Sequence, residues 1–153
     1  MEQLRAGTFK FLENWKFDRV NVETGEIIDS QEFCNLIVNN GLERVAKLIN
    51  GVSSTYYRAL AVGTGSTIAV NGNTALEVEV TRAAATLSYE ADYKAKFVYQ
   101  FSFGGDYAIT EAGIFDSATV SGSTMLARTT FAAKNVSTMI QLIVTATITV
   151  ARV

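Results

Sequence analysis

The chain has 153 residues, of which 48% are apolar, and a formal net charge of −2. This length and apolar content indicate one globular domain with a buried core rather than a disordered chain. The slightly acidic balance leaves no surplus of cations for phosphate groups, so nucleic-acid binding is disfavoured. No apolar run reaches the roughly 18 residues of a membrane span.

The sequence contains no histidine and a single cysteine, Cys34. A histidine-dependent triad, a Cys-His dyad and an intrachain disulfide are therefore excluded. A zinc site built from Cys and His ligands within one chain is excluded for the same reason. The first residues, MEQLR, lack the apolar core of a signal peptide, so we expect synthesis in a cytoplasm.

The N-terminal segment is predicted to form an extended arm or a hairpin. Phe9 and Phe11 are two residues apart, as are Trp15 and Phe17, which is the period of one strand face. The turn signal ETGE, residues 23–26, separates two extended runs that a hairpin would pair. These aromatic side chains must be buried, either in the chain's own core or against a partner protein.

One helix is predicted, over about residues 36–50, from the segment NLIVNNGLERVAKLING. Asn35 suits the N-cap position, and Asn50 followed by Gly51 suits the end of the helix. Gly41 inside this helix costs about 1 kcal/mol relative to alanine, so we expect it to pack closely against another element. The apolar stripe expected to face the core contains Ile37, Leu42, Val45 and Ile49.

From Gly51 onward the chain is predicted to be rich in strands. LEVEVTR, AKFVYQFSF and STMIQLIVTATITV alternate apolar and polar residues, and the last has one threonine-lined face. Strands separated by Gly, Asn and Ser turns indicate a sandwich or a barrel. We therefore predict a mainly β, single-domain β-sandwich or partly open barrel. Residues 1–34 would form its N-terminal arm or hairpin, and residues 35–153 its β-rich domain with one packed helix.

The segment AVGTGST, residues 61–67, has the glycine-rich composition of a phosphate-binding loop. A dinucleotide-binding fingerprint needs a third glycine where Ile68 stands, and no lysine of a P-loop follows Gly65. The next residues predict turn and strand, so no helix N-terminus would face a phosphate. We expect a flexible turn that leaves a strand; the alternative is a nest of backbone amides that binds an anion.

Three carboxylates are candidates for chemistry. Glu77 and Glu79 lie on one face of a predicted strand, as a glycosidase pair could, although solvated charges are the more common outcome. Glu111 is flanked by apolar residues, and a buried carboxylate needs a partner such as Arg82 or Arg128. A structural ion pair is therefore favoured over a catalytic acid at Glu111.

Two further sets of residues could bind a ligand, one through carboxylate oxygens and one through aromatic rings. Asp92, Asp106 and Asp116 could supply oxygens to a calcium ion, but their spacing is not that of an EF-hand. The aromatic pair in the segment YYR, residues 56–58, could stack on a base or a sugar, although such side chains more often fill a sheet face. The sequence therefore predicts no catalytic residue, no metal site and no cofactor.

One ordered set of motifs runs along about residues 7–150 of the chain. It comprises GTFKF, NVETGEII, NLIVNNGLERVAKLI, ALAVGTGST, NTALEVEVTRAA, ITEAGIFD, TMLARTTF and a threonine-alternating C-terminal strand. In order and spacing this set resembles small structural proteins of tailed bacteriophages. Such proteins include capsid decoration (cement) proteins and also tail-fibre, collar and baseplate components.

The resemblance implies a virion protein that is assembled in the host bacterial cytoplasm and carries no reaction. The first expectation is a capsid decoration protein that binds the major capsid protein and itself, as a homotrimer, and stabilises the shell through many contacts. The alternative is a tail, collar or baseplate attachment protein whose loops at 104–108 or 117–123 face a host glycan. A carbohydrate-binding or hydrolytic module is a third hypothesis. Neither nucleic acid nor membrane is expected as a partner, and the residues expected to contact one are Phe9, Phe11, Trp15 and Phe17.

Overall fold

The structure, a computed structural model, describes residues 7–34 and 36–152. Within these ranges the chain is mainly β, with two antiparallel five-stranded sheets and one α-helix. Each sheet has its own strand order, so the described chain forms a sandwich and not a closed barrel, and the predicted mainly β sandwich is confirmed. The elements are β1 (Phe9–Asn21), β2 (Ile27–Phe33), β3 (Leu36–Ile37), α1 (Asn39–Ile49), β4 (Ala59–Gly63), β5 (Glu79–Ala84), β6 (Thr86–Glu90), β7 (Lys94–Phe101), β8 (Tyr107–Phe115), β9 (Met125–Val136) and β10 (Ile140–Arg152).

The first sheet has the strand order β2-β1-β10-β7-β6 and contains the two ends of the described chain. β1 pairs with β10 along its whole length, from Phe9 opposite Arg152 to Asn21 opposite Ile140. On its other side, β1 pairs with β2 from Trp15 opposite Phe33 onward. β1 therefore lies between two strands over Trp15–Val20.

In the described part of the predicted arm or hairpin of residues 1–34, β1 and β2 pair as a hairpin across the turn at residues 23–26, and this hairpin is part of the sandwich. The described part of that arm belongs to the same sheet as the C-terminal strand, because its period-two aromatic residues supply one face of the core. Local alternation reveals which side chains share a face, but it does not reveal which distant strand completes the ladder.

The second sheet has the strand order β3-β9-β8-β4-β5 and covers the inner face of the first. The core between the sheets follows the predicted alternation of the last strand, whose residues Leu142, Val144 and Ala146 are fully buried. Thr145, Thr147 and Thr149 alternate with the apolar residues of this strand and lie on the other face of β10. Further buried residues of this core come from both sheets: Leu60, Val62, Phe97, Phe101, Ile109 and Ile114.

Helix α1 begins at Asn39, three residues later than predicted, and the residue that precedes it is Val38, whose side chain makes no capping hydrogen bond. The predicted cap, Asn35, lies outside the described residues. Gly41 is buried, and a Cβ there would overlap the carbonyl of Leu126 on β9, so the expected close packing at this glycine is confirmed.

The contact at Gly41 also decides which face of α1 is buried. Val45 and Leu48 face the sandwich with Gly41, whereas Leu42 and Ile49 are 48% and 73% exposed. The predicted stripe is therefore right at Ile37 and Val45, which pack against the core, and wrong at Leu42 and Ile49. A glycine lets the helix backbone approach β9 closely, and the helix rotates so that this side faces the sheet.

Candidate functional site

The glycine-rich loop after β4 surrounds a carboxylate of the chain itself. The amide of Gly65 donates to Glu111 Oε1 at 3.0 Å, and those of Val78 and Glu77 donate to Oε1 at 2.8 Å and Oε2 at 3.0 Å. A Cβ at Gly63 or Gly65 would lie 2.6 or 2.5 Å from Glu111 Oε1, so no side chain fits at either position. The backbone amides do bind an anion, as the alternative interpretation held, but the anion is Glu111.

Arg128 completes the surroundings of this buried carboxylate. Its Nε donates to Glu111 Oε2 at 3.0 Å, and its Nη1 donates to Asn73 Oδ1 at 3.1 Å. The predicted structural ion pair of Glu111 is thus present, with Arg128 as the partner. A carboxylate has about four lone-pair sites, and three amides and one guanidinium occupy them here. Glu111 therefore has no free acceptor for a substrate proton.

Glu77 and Glu79 belong to two different groups of partners. Glu77 accepts a hydrogen bond from the Thr67 amide at 2.9 Å, and hydrogen bonds from the side chain and backbone of Thr67 hold its pKa below the usual value. Glu79 forms a two-pronged ion pair with Arg82, whose guanidinium lies 3.6 Å from the ring centre of Phe115. The glycosidase-like pair therefore has no support from the geometry.

Of the three aspartates considered as calcium ligands, Asp92 and Asp106 are exposed, whereas Asp116 is tied to the framework. Asp116 accepts hydrogen bonds from the Thr124 amide at 2.7 Å and from Arg44 Nη1 at 2.8 Å, which fastens α1 to the loop between β8 and β9. Among residues 7–34 and 36–152, no three acidic or cysteine side chains are placed to hold a metal ion. In the YYR segment, Arg58 stacks on Tyr56 at 4.2 Å from the ring centre.

The four aromatic residues predicted to contact a partner separate into two pairs. Trp15 and Phe17 are 0% exposed, and their rings are stacked 6.0 Å apart within the core, so this chain itself buries them. Phe9 is exposed and Phe11 is half-buried, near the start of β1. The same alternation gives all four one face, and they differ because only the later part of β1, from Glu13 onward, contains buried residues.

Phe11 lines an apolar groove where β1 begins and β10 ends. The groove has a volume of about 530 Å³ and opens between α1, the segment before β4 and the hairpin of β6 and β7. We call it the end groove. Lys94 is its only charged lining residue in the described chain; the others are Phe11, Ile37, Val45, Leu48, Tyr56, Tyr57, Tyr89, Tyr93, Ala95, Phe97, Leu126, Ile148 and Val150.

The rim of the end groove exposes large amphipathic side chains. Tyr56, Tyr89 and Tyr93 all line the groove and are all more than half exposed. Tyr93 has a φ of +68°, a left-handed conformation that bulky residues seldom adopt, and its carbonyl accepts a hydrogen bond from the amide of Val150 at 3.0 Å. Exposed tyrosines around an apolar depression are typical of protein interfaces.

Two polar groups lie at or near the floor of the groove. The hydroxyl of Tyr57 is buried without a hydrogen-bond partner in the described chain, and burial raises the pKa of this phenol, so it stays a donor. Glu13 lies on β1 between Phe11 and Trp15, opposite Ile148, and accepts a hydrogen bond from the Trp15 indole. Burial raises the pKa of Glu13 to about 7. Sequence analysis missed Glu13, although a charged residue within an alternating aromatic face was a visible signal.

The end groove is the candidate functional site. Its lining is apolar and aromatic apart from Lys94, which suits contact with an apolar or aromatic surface. No helix in the described part of the chain is long and apolar enough to cross a membrane. Comparison of the chain with protein-family models, with curated proteins and with solved structures finds no match.

Proposed function

We propose that this protein is a structural, non-enzymatic component of a tailed-phage virion, and specifically a capsid decoration protein that binds the outside of the shell. The observation that carries the proposal is the end groove with its exposed tyrosine rim. A single chain leaves this apolar surface in water, and such surfaces mark sites of association. The major capsid protein is the proposed partner.

The motifs behind the phage resemblance support a shared framework rather than a shared reaction. AVGTGST supplies Gly65, ITEAGIFD supplies Glu111 and ARTTF supplies Arg128, and these three residues meet in one buried cluster. This cluster joins the loop after β4 to strands β8 and β9, and such a contact stabilises the fold. Glu77 is committed to Thr67 and Glu79 to Arg82, which supports a non-catalytic protein.

The proposed mechanism is mechanical. Copies of the protein, a homotrimer in our proposal, would occupy the shell surface where capsomers meet, and each would place its end groove over an apolar side chain of the capsid protein. Many such contacts resist expansion of the shell together, because each bound site raises the effective concentration of the next. In this mechanism the aromatic rim of the end groove, and not a free N-terminal arm, makes the contact with the shell.

A tail, collar or baseplate attachment protein is the second candidate function. It is favoured by a depression of about 420 Å³ beside the 104–108 loop, whose lining combines polar groups with the apolar residues Ala108, Val136 and Ile140. Asp106, Tyr107, Asn135 and Ser137 line it, and a tyrosine ring beside carboxylate, amide and hydroxyl groups suits a small glycan. In this alternative the depression would face the host cell and the end groove would attach the protein to the tail.

Electron microscopy of intact particles labelled with a gold-tagged antibody against this chain tests the proposal. Label spread over the head is the expected result, and label confined to the neck or tail would replace it with the second candidate. Absence of label from particles would contradict both.

A paired binding experiment tests the role of the groove. Tyr89→Asp should abolish binding to particles that lack the protein, because it places a charge at the apolar rim. Val120→Asp changes an exposed valine on the 117–123 loop and should bind normally. Equal binding by both variants would show that the end groove is not the attachment surface.

A further inference from the structure

We propose that β6 pairs edge to edge with β6 of a second copy of this chain, in antiparallel orientation about a two-fold axis. The sheet β2-β1-β10-β7-β6 would then continue without interruption into the same sheet of the partner, giving ten strands. This contact goes beyond the proposed function, because it concerns the chain alone and does not depend on a phage particle.

The free edge of β6 lacks the usual protection against such pairing. Among the strands of residues 7–34 and 36–152, β6 pairs only with β7, and all five of its residues, Thr86–Glu90, are exposed. The strand contains no lysine, arginine or proline, the residues that commonly block an edge. Its backbone donors and acceptors on the free side are therefore open to a further strand.

The other edge strands of the described sandwich are better protected. β2 carries Asp29 and Glu32, and Asp29 forms an ion pair with Arg19 at 2.6 Å. β5 contains the ion pair of Arg82 with Glu79, and β3 is two residues long. Charged side chains and shortness are two recognised ways of blocking an edge. The one charge of β6, Glu90, lies at its end, and its other four residues are uncharged, so β6 is the edge most suited to pairing.

The sequence of β6 is self-complementary in an antiparallel register centred on Ser88. Ser88 would lie opposite the partner's Ser88, and Leu87 opposite the partner's Tyr89, so an apolar pair forms twice across the axis. Glu90 would lie opposite the partner's Thr86, so no like charges meet. The charge of Glu90 already has a counterion in Lys96 at 3.5 Å.

The same register would cover exposed apolar surface. Leu87 is opposite Phe97 and Tyr89 opposite Ala95 in the ladder with β7, so both side chains point to the core side of the sheet. Leu87 is 41% exposed and Tyr89 is 72% exposed in the single chain. Tyr89 also lines the end groove, so pairing would bring the grooves of two copies onto one continuous sheet face.

Cysteine cross-linking tests this register directly. In a Cys34→Ser background, which removes the exposed native thiol, Ser88→Cys should form a disulfide dimer on mild oxidation. Opposed strand residues lie within the distance that a disulfide spans. Thr86→Cys and Glu90→Cys are matched controls on the same strand: neither should link to itself, but a mixture of the two should link. We expect linkage of Ser88→Cys to be roughly tenfold faster than that of either control alone, since pairing holds its thiols together.

Absence of a Ser88→Cys dimer, or equal linkage of all three single variants, would overturn the proposal. Sedimentation of the full chain gives a second measurement. An even number of copies is expected, because a two-fold contact joins single copies in pairs. If the copies form trimers, the same contact joins the trimers in pairs. A monomer or an isolated trimer would contradict it.

A charged variant distinguishes association through the β6 edge from association through the rim of the end groove. Tyr89→Lys should halve the number of copies in the sedimenting species without lowering the unfolding temperature, because it places charge in the pairing strand. Tyr56→Lys is the matched control, since Tyr56 lies on the rim but outside β6. If Tyr56→Lys dissociates the copies equally, the rim and not the β6 edge holds them together, and the proposal fails.

Discussion

Raising the pH should destabilise this protein through one buried carboxyl group, Glu13. Its side chain is 5% exposed on the inner face of β1, and one of its oxygens, Oε2, has no partner in the described chain. Burial raises its pKa from 4.5 to about 7, an effect that the hydrogen bond from Trp15 only partly offsets. The neutral acid is therefore favoured in the folded protein, whereas the unfolded chain ionises near the ordinary value.

The magnitude follows from that difference of about 2.5 pKa units. Between the two pKa values the folded state binds more protons than the unfolded state, so the free energy of unfolding falls as pH rises. The stabilising contribution is complete below about pH 4.5 and is lost as pH rises through about 7. At about 1.4 kcal/mol for each pKa unit, the loss is about 3 kcal/mol. This corresponds to a decrease of roughly 6–12 °C in Tm for a chain of this size.

The assay is urea unfolding at a series of pH values between 5 and 8.5. The sequence contains no histidine, so no imidazole titrates in this window. Glu13→Gln keeps an acceptor for the Trp15 indole but cannot ionise, and its unfolding free energy should lose most of the pH dependence. Glu26→Gln alters an exposed turn residue and should retain the wild-type slope. Equal slopes for the wild type and Glu13→Gln would refute this account of Glu13.

Three further predictions concern stability. Arg128→Met leaves the buried carboxylate of Glu111 without its cation and should lower the free energy of unfolding, measured in urea, by about 3–5 kcal/mol. A decrease below about 1 kcal/mol would show that the backbone amides alone satisfy the charge of Glu111. Gly65→Ala forces a methyl group to within 2.5 Å of Glu111 Oε1 and should destabilise the protein by about 1–3 kcal/mol. Gly72→Ala is the control and should be nearly neutral, because its added Cβ would meet nothing within 4 Å. Equal shifts in Tm for the two variants would show that Gly65 is not crowded by Glu111. Deletion of residues 1–20 should unfold the protein, because it removes nearly all of β1, which pairs with both β10 and β2. If the truncated chain keeps the circular dichroism signal of β-strands and still melts cooperatively, β1 is dispensable for folding.

Several features could be predicted from the sequence because each depends on neighbours along the chain. The alternation over residues 140–150 identified the buried and exposed faces of β10. Gly41, a poor helix former inside a helix, indicated a close contact, which is the contact with Leu126. Glu111 among apolar residues required a cation, and Arg128, one of the two partners suggested from the sequence, supplies it. In each case a local rule on burial or backbone crowding was sufficient.

Other features needed the fold, because they join segments that are distant in sequence. The anion for the amide of Gly65 comes from Glu111, 46 residues away, and no local pattern connects the two. The helix stripe was misplaced because the contact with β9, and not the most apolar face, set the rotation of α1. The end groove likewise combines side chains from both ends of the described chain, the helix and the β6–β7 hairpin.

By itself, then, the sequence determined the mainly β fold, the position of most strands, the need for an internal partner at Glu111 and the absence of histidine chemistry. Tertiary structure alone decided that residues 15–20 lie between two strands, and that Trp15 and Phe17 are buried while Phe9 and Phe11 remain accessible. It alone also placed the free edge of β6 beside an apolar groove. The physical reason is that periodicity and composition are properties of neighbouring residues. Strand order, register and exposed surface arise only when distant segments pack together.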